Sequence, residues 1–181
     1  ASLIERIREE VLDRFVAGIK TDGIAFRGML FPGLMLTGDG PKVLEFNCRF
    51  GDPETQVLVR RLRSDLLNLL EACVAGTLAD QRPEWDGRAA VCVVLASGGY
   101  PGAYEKGKPI EGLEDARAMR EVVVFHAGTK QVGQQIFTNG GRVLGVTAMG
   151  ADLRAARELA YRAADTIRFD QIQRREDIGA S

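Results

Sequence analysis

Glu45, Asn47 and Arg49 occupy alternate positions of one short segment, and two further acids, Asp52 and Glu54, flank Pro53 directly after it. Alternate residues of a β-strand share a face, so Glu45, Asn47 and Arg49 would stand together while Leu44, Phe46 and Cys48 turn to the other side and into a core. A carboxylate and an amide oxygen on one rigid strand are hard donors of the kind that hold Mg²⁺, which takes one or two protein oxygens together with water and substrate phosphates. A guanidinium beside them can compensate charge on a phosphoryl group in transfer. The same spacing also describes the solvent face of an ordinary strand, with Arg49 as a surface ion-pair partner, and spacing alone leaves both readings open. Asp52 and Glu54 divide likewise. They read either as a helix N-cap with an acid in the first turn, Pro53 filling the first helical position, or as carboxylates for the ammonium group of a substrate.

The elements that must position these residues are legible around them. Ser2-Leu3-Ile4-Glu5 is a capping box, and Leu3, Ile7, Val11, Phe15 and Ile19 recur every fourth residue, which predicts an amphipathic helix ending at Gly23. Two apolar runs, Gly28 to Leu36 and Lys42 to Cys48, separated by Thr37-Gly38-Asp39-Gly40-Pro41, predict a hairpin. A helix follows from Asp52, with Leu58, Leu62, Leu66, Leu69 and Cys73 as its stripe, a break near Ser64-Asp65 and a stop at Gly76. Beyond a weakly patterned stretch, the segments Ala89 to Ala96, Val122 to Ala127, Gln135 to Phe137 and Arg142 to Ala148 are β-branched or aromatic. They predict an antiparallel sheet, with Asn139-Gly140-Gly141 as a tight hairpin turn between the last two. Leu153, Ala156, Ala160, Ala163 and Ile167 form one face of a closing helix that packs on that sheet. The fold class is therefore α+β, with a first domain over 1–78, a linker over 79–88 and a second domain over 89–181.

Composition narrows the partners. The 181 residues carry 24 Lys and Arg against 25 Asp and Glu, a net charge of −1, with 45% hydrophobic and 27% charged residues. Such a chain folds, and it lacks the cationic surplus that nucleic-acid backbones demand. The longest apolar run, Ala89 to Ala96, is far short of the roughly 20 residues that cross a bilayer, so neither nucleic acid nor membrane is expected as a partner. Three separated cysteines, Cys48, Cys73 and Cys92, suggest neither a disulfide framework nor a zinc site and fit a reducing cytoplasm. Cys48 reads as a small buried apolar residue, and His126, the single histidine, as a packed or hydrogen-bonded core residue in preference to a general base.

The segment Val43-Leu44-Glu45-Phe46-Asn47-Cys48-Arg49-Phe50-Gly51-Asp52-Pro53-Glu54-Thr55-Gln56 resembles the signature of the phosphoribosylamine–glycine ligases, also called glycinamide ribonucleotide synthetases, a family of ATP-grasp enzymes. The resemblance continues through Arg27 to Leu36, Ala96-Ser97-Gly98-Gly99-Tyr100-Pro101-Gly102, Phe125 to Thr129, Thr138 to Leu144 and Arg175 to Gly179, in the family's order. It implies the C-terminal part of an ATP-grasp domain followed by the family's small α+β domain. It also implies ATP-dependent joining of glycine to 5-phosphoribosylamine through glycyl phosphate, in purine biosynthesis. By resemblance, Glu45 and Asn47 match the Mg²⁺ or Mn²⁺ ligands. Arg49 matches the catalytic arginine that stabilises the transferring phosphoryl group, and Asp52 and Glu54 match a substrate-binding loop.

The resemblance covers only the C-terminal part of the family pattern. The N-terminal substrate domain, the lysine-bearing nucleotide-clasping strands and the ATP lid lie outside this chain, so the polypeptide alone is expected to be inactive and to expose surface that favours self-association. Two alternatives accompany this reading. One is a biotin-carboxylase-like ATP-grasp enzyme, which shares the Glu-x-Asn-x-Arg pattern but not the Phe-Gly-Asp-Pro-Glu that follows it here. The other is a non-catalytic interaction or scaffold module, which would be indifferent to loss of Glu45.

Overall fold

A strict four-residue apolar spacing overruns the 3.6-residue turn of an α-helix by about 40° per step, so Leu3, Ile7, Val11, Phe15 and Ile19 cannot all stay on one face of a regular helix. In the computed structural model, which describes residues 2–180, the N-terminal helix resolves this with a wider turn. Helix α1 (Leu3–Ile7) runs into a π-helical turn at Arg8–Leu12 and continues as α2 (Asp13–Thr21), with Val11 buried at the centre. The capping box forms as expected: Ser2 Oγ accepts from Glu5 N, and the Glu5 carboxylate accepts from Ser2 N at 2.7 Å.

The chain forms two compact units. The first comprises the residues up to Gly51 together with Asp65–Pro83, and the second comprises Asp52–Ser64 together with Glu84 onwards. In the first unit, β1 (Phe31–Thr37) and β2 (Gly40–Asn47) form the expected hairpin, antiparallel with Phe31 opposite Asn47 and Thr37 opposite Gly40. Its register slips between Gly33, opposite Glu45, and Leu34, opposite Val43, so Leu44 is an extra, bulged residue. The ring of Phe46 lies 4.9 Å from that of Phe15 on α2. The same unit holds α4 (Leu66–Ala75), capped at its start by Asp65 and stopped by Gly76 in the left-handed region, with Arg27 donating to Val74 O at 2.8 Å.

In the second unit, β3 (Ala89–Ala96), β4 (Val122–His126) and β7 (Arg142–Gly150) form an antiparallel sheet in the order β3-β7-β4. Helix α6 (Leu153–Ala164) covers the face that carries Val91, Val93, Leu95, Leu144, Val146 and Ala148, and its own contribution is a small-residue seam of Ala156, Ala160, Ala163 and Ala164. Each fully buried valine or leucine of this core is worth about 1.5–3 kcal/mol relative to exposure. Leu153, expected on the same seam, is instead 45% exposed at the first position of the helix; Ile167 is buried but follows the helix.

Helix α3 (Glu54–Arg61) packs on β3 and β7. Gly145 of β7, which carries no side chain, leaves the room that Gln56 and Cys92 occupy. The segment Asp52–Ser64 thus groups with the C-terminal sheet, where the sequence reading has it in a domain ending at 78. Asp52 does not cap α3, which begins at Glu54 with Pro53 preceding it and no side-chain cap. Asn139-Gly140-Gly141 is not a hairpin turn: β6 (Gln135–Thr138) pairs with β5 (Thr129–Val132), and the glycines carry the chain from that ribbon to the main sheet. Helix α5 (Leu113–Ala118) and strand β5 were not anticipated, and the stretch expected as a linker holds Asp86, which is 7% exposed and accepts from Arg63 and Arg88.

Candidate functional site

At the end of β2 and just past it, the three residues singled out at alternate positions are joined in one row. Asn47 Nδ2 donates to Glu45 Oε1 at 2.9 Å, and Arg49 Nη2 donates to Asn47 Oδ1 at 3.2 Å. Arg49 Nη1 also donates to Phe50 O at 3.0 Å, which turns the guanidinium back along the strand end. Across the hairpin, Gly33 faces Glu45, and a Cβ there would stand 3.1 Å from Glu45 Cγ, so the glycine keeps the carboxylate's surroundings open. The bulge at Leu44 directly precedes this row, a place where bulges commonly re-aim side chains. The opposite face is less covered than expected: Leu44 is 65% and Phe46 41% exposed, and Cys48 is exposed instead of buried, because it stands past the end of β2 and outside the hairpin pairing.

The donor set suits a hard divalent cation. Glu45 and Asn47 lie within hydrogen-bond reach of each other and together offer a carboxylate and an amide oxygen, the small number of protein ligands that Mg²⁺ or Mn²⁺ takes when substrate phosphates and water complete its shell. Among the described residues there is no cluster of three or more His, Cys, Asp or Glu side chains able to hold a metal by themselves.

The acids of the following loop belong to the second unit, and there the structure adds residues that sequence reading gave no role. Asp52 Oδ2 accepts from Arg142 Nη2 at 2.8 Å, Asp52 O accepts from Arg142 Nη1 at 2.8 Å, and Asp52 Oδ1 accepts from Gln56 Nε2 at 3.0 Å. Glu54 is the first residue of α3, where a carboxylate is favoured by the helix dipole. Arg142 directly follows Asn139-Gly140-Gly141 but lies 90 positions from its partner, and no local spacing pairs them. Arg142 also lines a cavity of about 410 Å³ with Val94, Ala96, Tyr100, Pro101 and Gln173.

His126 is exposed and hydrogen-bonded, not packed in the core. Its Nε2 meets Arg117 Nη2 at 2.7 Å and its Nδ1 meets Thr129 Oγ1 at 3.1 Å. Partial burial, followed by the charge of Arg117, lowers its pKa, so the neutral ring accepts from Arg117 and donates from Nδ1. It borders a cavity of about 710 Å³ with Glu114, Gln131 and Gln135 and contacts none of the candidate residues named above.

Comparison with known proteins places this geometry in context. Residues 90–181 match the model described as phosphoribosylglycinamide synthetase, C domain, and residues 1–55 match phosphoribosylglycinamide synthetase, ATP-grasp (A) domain. The chain is 48% identical over 177 residues to phosphoribosylamine–glycine ligase of Caldanaerobacter subterraneus, covering 98% of this chain and 42% of that protein. It is 51% identical over 176 residues to that of Allochromatium vinosum, covering 97% and 41%. The chain therefore spans about two fifths of the length of the curated relatives it matches. Among solved structures, phosphoribosylamine–glycine ligase from Thermotoga maritima superposes with a TM-score of 0.79 at 36% identity, over 96% of this chain and 42% of that one. N5-carboxyaminoimidazole ribonucleotide synthetase from the same organism shares the fold alone, with a TM-score of 0.56 at 21% identity. With one family model matched over slightly more than half of its residues and a second over its beginning, this chain belongs to the phosphoribosylglycinamide synthetase family.

Proposed function

We propose that these residues serve the ATP-dependent ligation of glycine to 5-phosphoribosylamine, giving glycinamide ribonucleotide, ADP and phosphate. The observation that carries the reading is the hydrogen-bonded row of Glu45, Asn47 and Arg49 at the end of β2. In the proposed reaction the glycine carboxylate attacks the γ-phosphorus of ATP, ADP departs, and glycyl phosphate forms. The amine of phosphoribosylamine then attacks the acyl carbon, phosphate leaves, and the amine's proton is released. Glu45 and Asn47 would hold Mg²⁺ or Mn²⁺, which supplies charge neutralisation at the nucleotide phosphates when bound. Arg49 would stabilise charge on the phosphoryl group in transfer and on the acyl phosphate. Asp52 and Glu54 would hold the ammonium group of glycine. ATP, glycine and phosphoribosylamine are then the partners, the cytoplasm is the compartment in which that reaction runs, and the exposed Met35, Leu36, Val43 and Leu44 support self-association of the chain.

The chain spans about two fifths of its relatives, so the reaction is tested in a polypeptide of the relatives' length in which these 181 residues occupy the matching span. ADP release should require glycine and freshly generated phosphoribosylamine together, and Glu45→Ala should abolish it while lowering Mg²⁺-dependent ATP affinity. Turnover that ignores phosphoribosylamine, or that survives Glu45→Ala, refutes the reading. The 181 residues by themselves should bind no substrate productively, because positioning nucleotide, metal and acceptor together requires the full length.

A further inference from the structure

The geometry points to Arg142 as a positioning residue of the Asp52–Glu54 loop, a clamp that fixes Asp52 and through it the start of α3, where Glu54 stands. The inference rests on the reading that Asp52 and Glu54 serve the substrate ammonium group.

Three observations support the clamp. First, the guanidinium grips two different atoms of one residue, the carboxylate Oδ2 and the backbone carbonyl of Asp52, each at 2.8 Å. A planar fork with parallel N–H groups does this in fixed geometry, so the side chain sets both the carboxylate's rotation and the path of the backbone behind it. Gln56 donates to the other carboxylate oxygen at 3.0 Å, so two different side chains hold the two oxygens of Asp52.

Second, the clamp stands on a rigid footing. The residue before it, Gly141, has no space for a side chain, because a Cβ there would overlap the ring of Tyr100. Its carbonyl accepts from Ser97 N at 2.8 Å, Ser97 Oγ donates to Gly140 O at 2.8 Å, and Gly128 N donates to Arg142 O at 2.9 Å. The glycine-rich turn is thus a close-packed backbone junction that launches Arg142 in one direction.

Third, stability does not explain the pair. The Arg142 side chain is 40% and the Asp52 side chain 47% exposed, and ion pairs so open to water contribute little to folding. What the pair sets is direction: it determines how the loop before α3 presents its carboxylates.

Hydrogen exchange on the 181-residue chain tests the clamp without reference to activity. Arg142→Met should speed exchange of the amides at 50–56 by about tenfold or more while the β3 and β7 amides stay protected. Arg142→Lys should restore protection only in part, since an ammonium has three donors but lacks the parallel, coplanar N–H pair that holds both acceptors in fixed geometry. Unchanged exchange, or full restoration by lysine, overturns the clamp. In the polypeptide of the relatives' length, Arg142→Met should raise KM for glycine about 10- to 100-fold with the melting temperature held. A KM that stays put while exchange at 50–56 accelerates overturns the positioning role. A parent polypeptide that shows no glycine- and phosphoribosylamine-dependent ADP release overturns the proposed function instead, and the exchange data still decide the clamp.

Discussion

Gly107 and Gly112 offer a matched pair of perturbations. Both have positive φ, +80° and +77°, yet a Cβ at Gly107 meets nothing within 4 Å, whereas one at Gly112 would overlap the backbone carbonyl of Thr166. Replacing either by alanine forces an L-residue into the left-handed region, at roughly 1–2 kcal/mol. The alanine's stiffer unfolded chain returns about 0.4–1 kcal/mol of that, so Gly107→Ala should cost between about 0 and about 1.6 kcal/mol. Gly112→Ala must in addition separate Gly112 from Thr166. That movement strains two hydrogen bonds, Glu111 N to Arg168 O at 2.9 Å and Arg168 N to Glu111 O at 3.1 Å. At about 1 kcal/mol each, their loss puts Gly112→Ala about 2 kcal/mol below Gly107→Ala, before any loosening of the buried Ile110 and Leu113. The single tryptophan, Trp85, lies in the second unit, so its fluorescence follows the unfolding of the unit in which both glycines sit. For a domain near 100 residues the gap should appear as roughly 8 °C or more between the two melting temperatures. Two variants that melt within about 2 °C of each other would show that the chain around Gly112 does not approach Thr166 as described.

The cysteines should separate by reactivity. Burial pushes the Cys92 thiol up to about 11, so iodoacetamide at mildly alkaline pH should modify exposed Cys48 first and reach Cys92 only on unfolding; mass spectrometry showing equal rates would contradict the burial of β3. His126 makes stability pH-dependent, because the fold prefers its neutral ring. The contribution is complete above the usual pKa of 6.5 and is lost as pH falls through the lowered folded value, before carboxylates such as Asp86, held far below their usual range by Arg88, begin to protonate. Urea midpoints should therefore drop between about pH 7 and about pH 5 in the wild-type chain and drop less in His126→Gln; an identical slope in both would remove His126 as the cause.

The legible parts of this fold are those that local pattern determines. The hairpin of β1 and β2 was visible because its turn residues interrupt two apolar runs, and the row Glu45, Asn47, Arg49 because two-residue alternation puts them on one face. The bulge at Leu44 was not visible, since one unpaired residue leaves no mark on composition. Strand β5, Thr129 to Val132, carries a lysine and a glutamine among its four residues and pairs only with another short strand, so no apolar alternation announces it. Helix α5 is six residues long, too short for a periodic stripe to repeat. Asp52 misled because a capping residue and a clamped carboxylate use the same side chain. Arg142 was out of reach because its partner is distant in sequence and near only once the sheet has formed.

The division of the chain between its two units also dictates an order of assembly. The backbone leaves the first unit after Gly51, contributes Asp52–Ser64 to the second, returns for Asp65–Pro83 and leaves again at Glu84. Helix α3 therefore emerges from the ribosome well ahead of β3 and β7, the strands that bury it, and must wait for β7 before its docking surface exists. The intervening excursion of Asp65–Pro83 is a short loop as far as the second unit is concerned, and closing it costs little entropy. Each unit is interrupted by a piece of the other, so a cut placed in the weakly patterned stretch before β3 would yield a C-terminal fragment whose sheet lacks one of its covers. A fragment meant to fold as the second unit does here needs Asp52–Ser64 restored to it, by a linker or as a separate peptide.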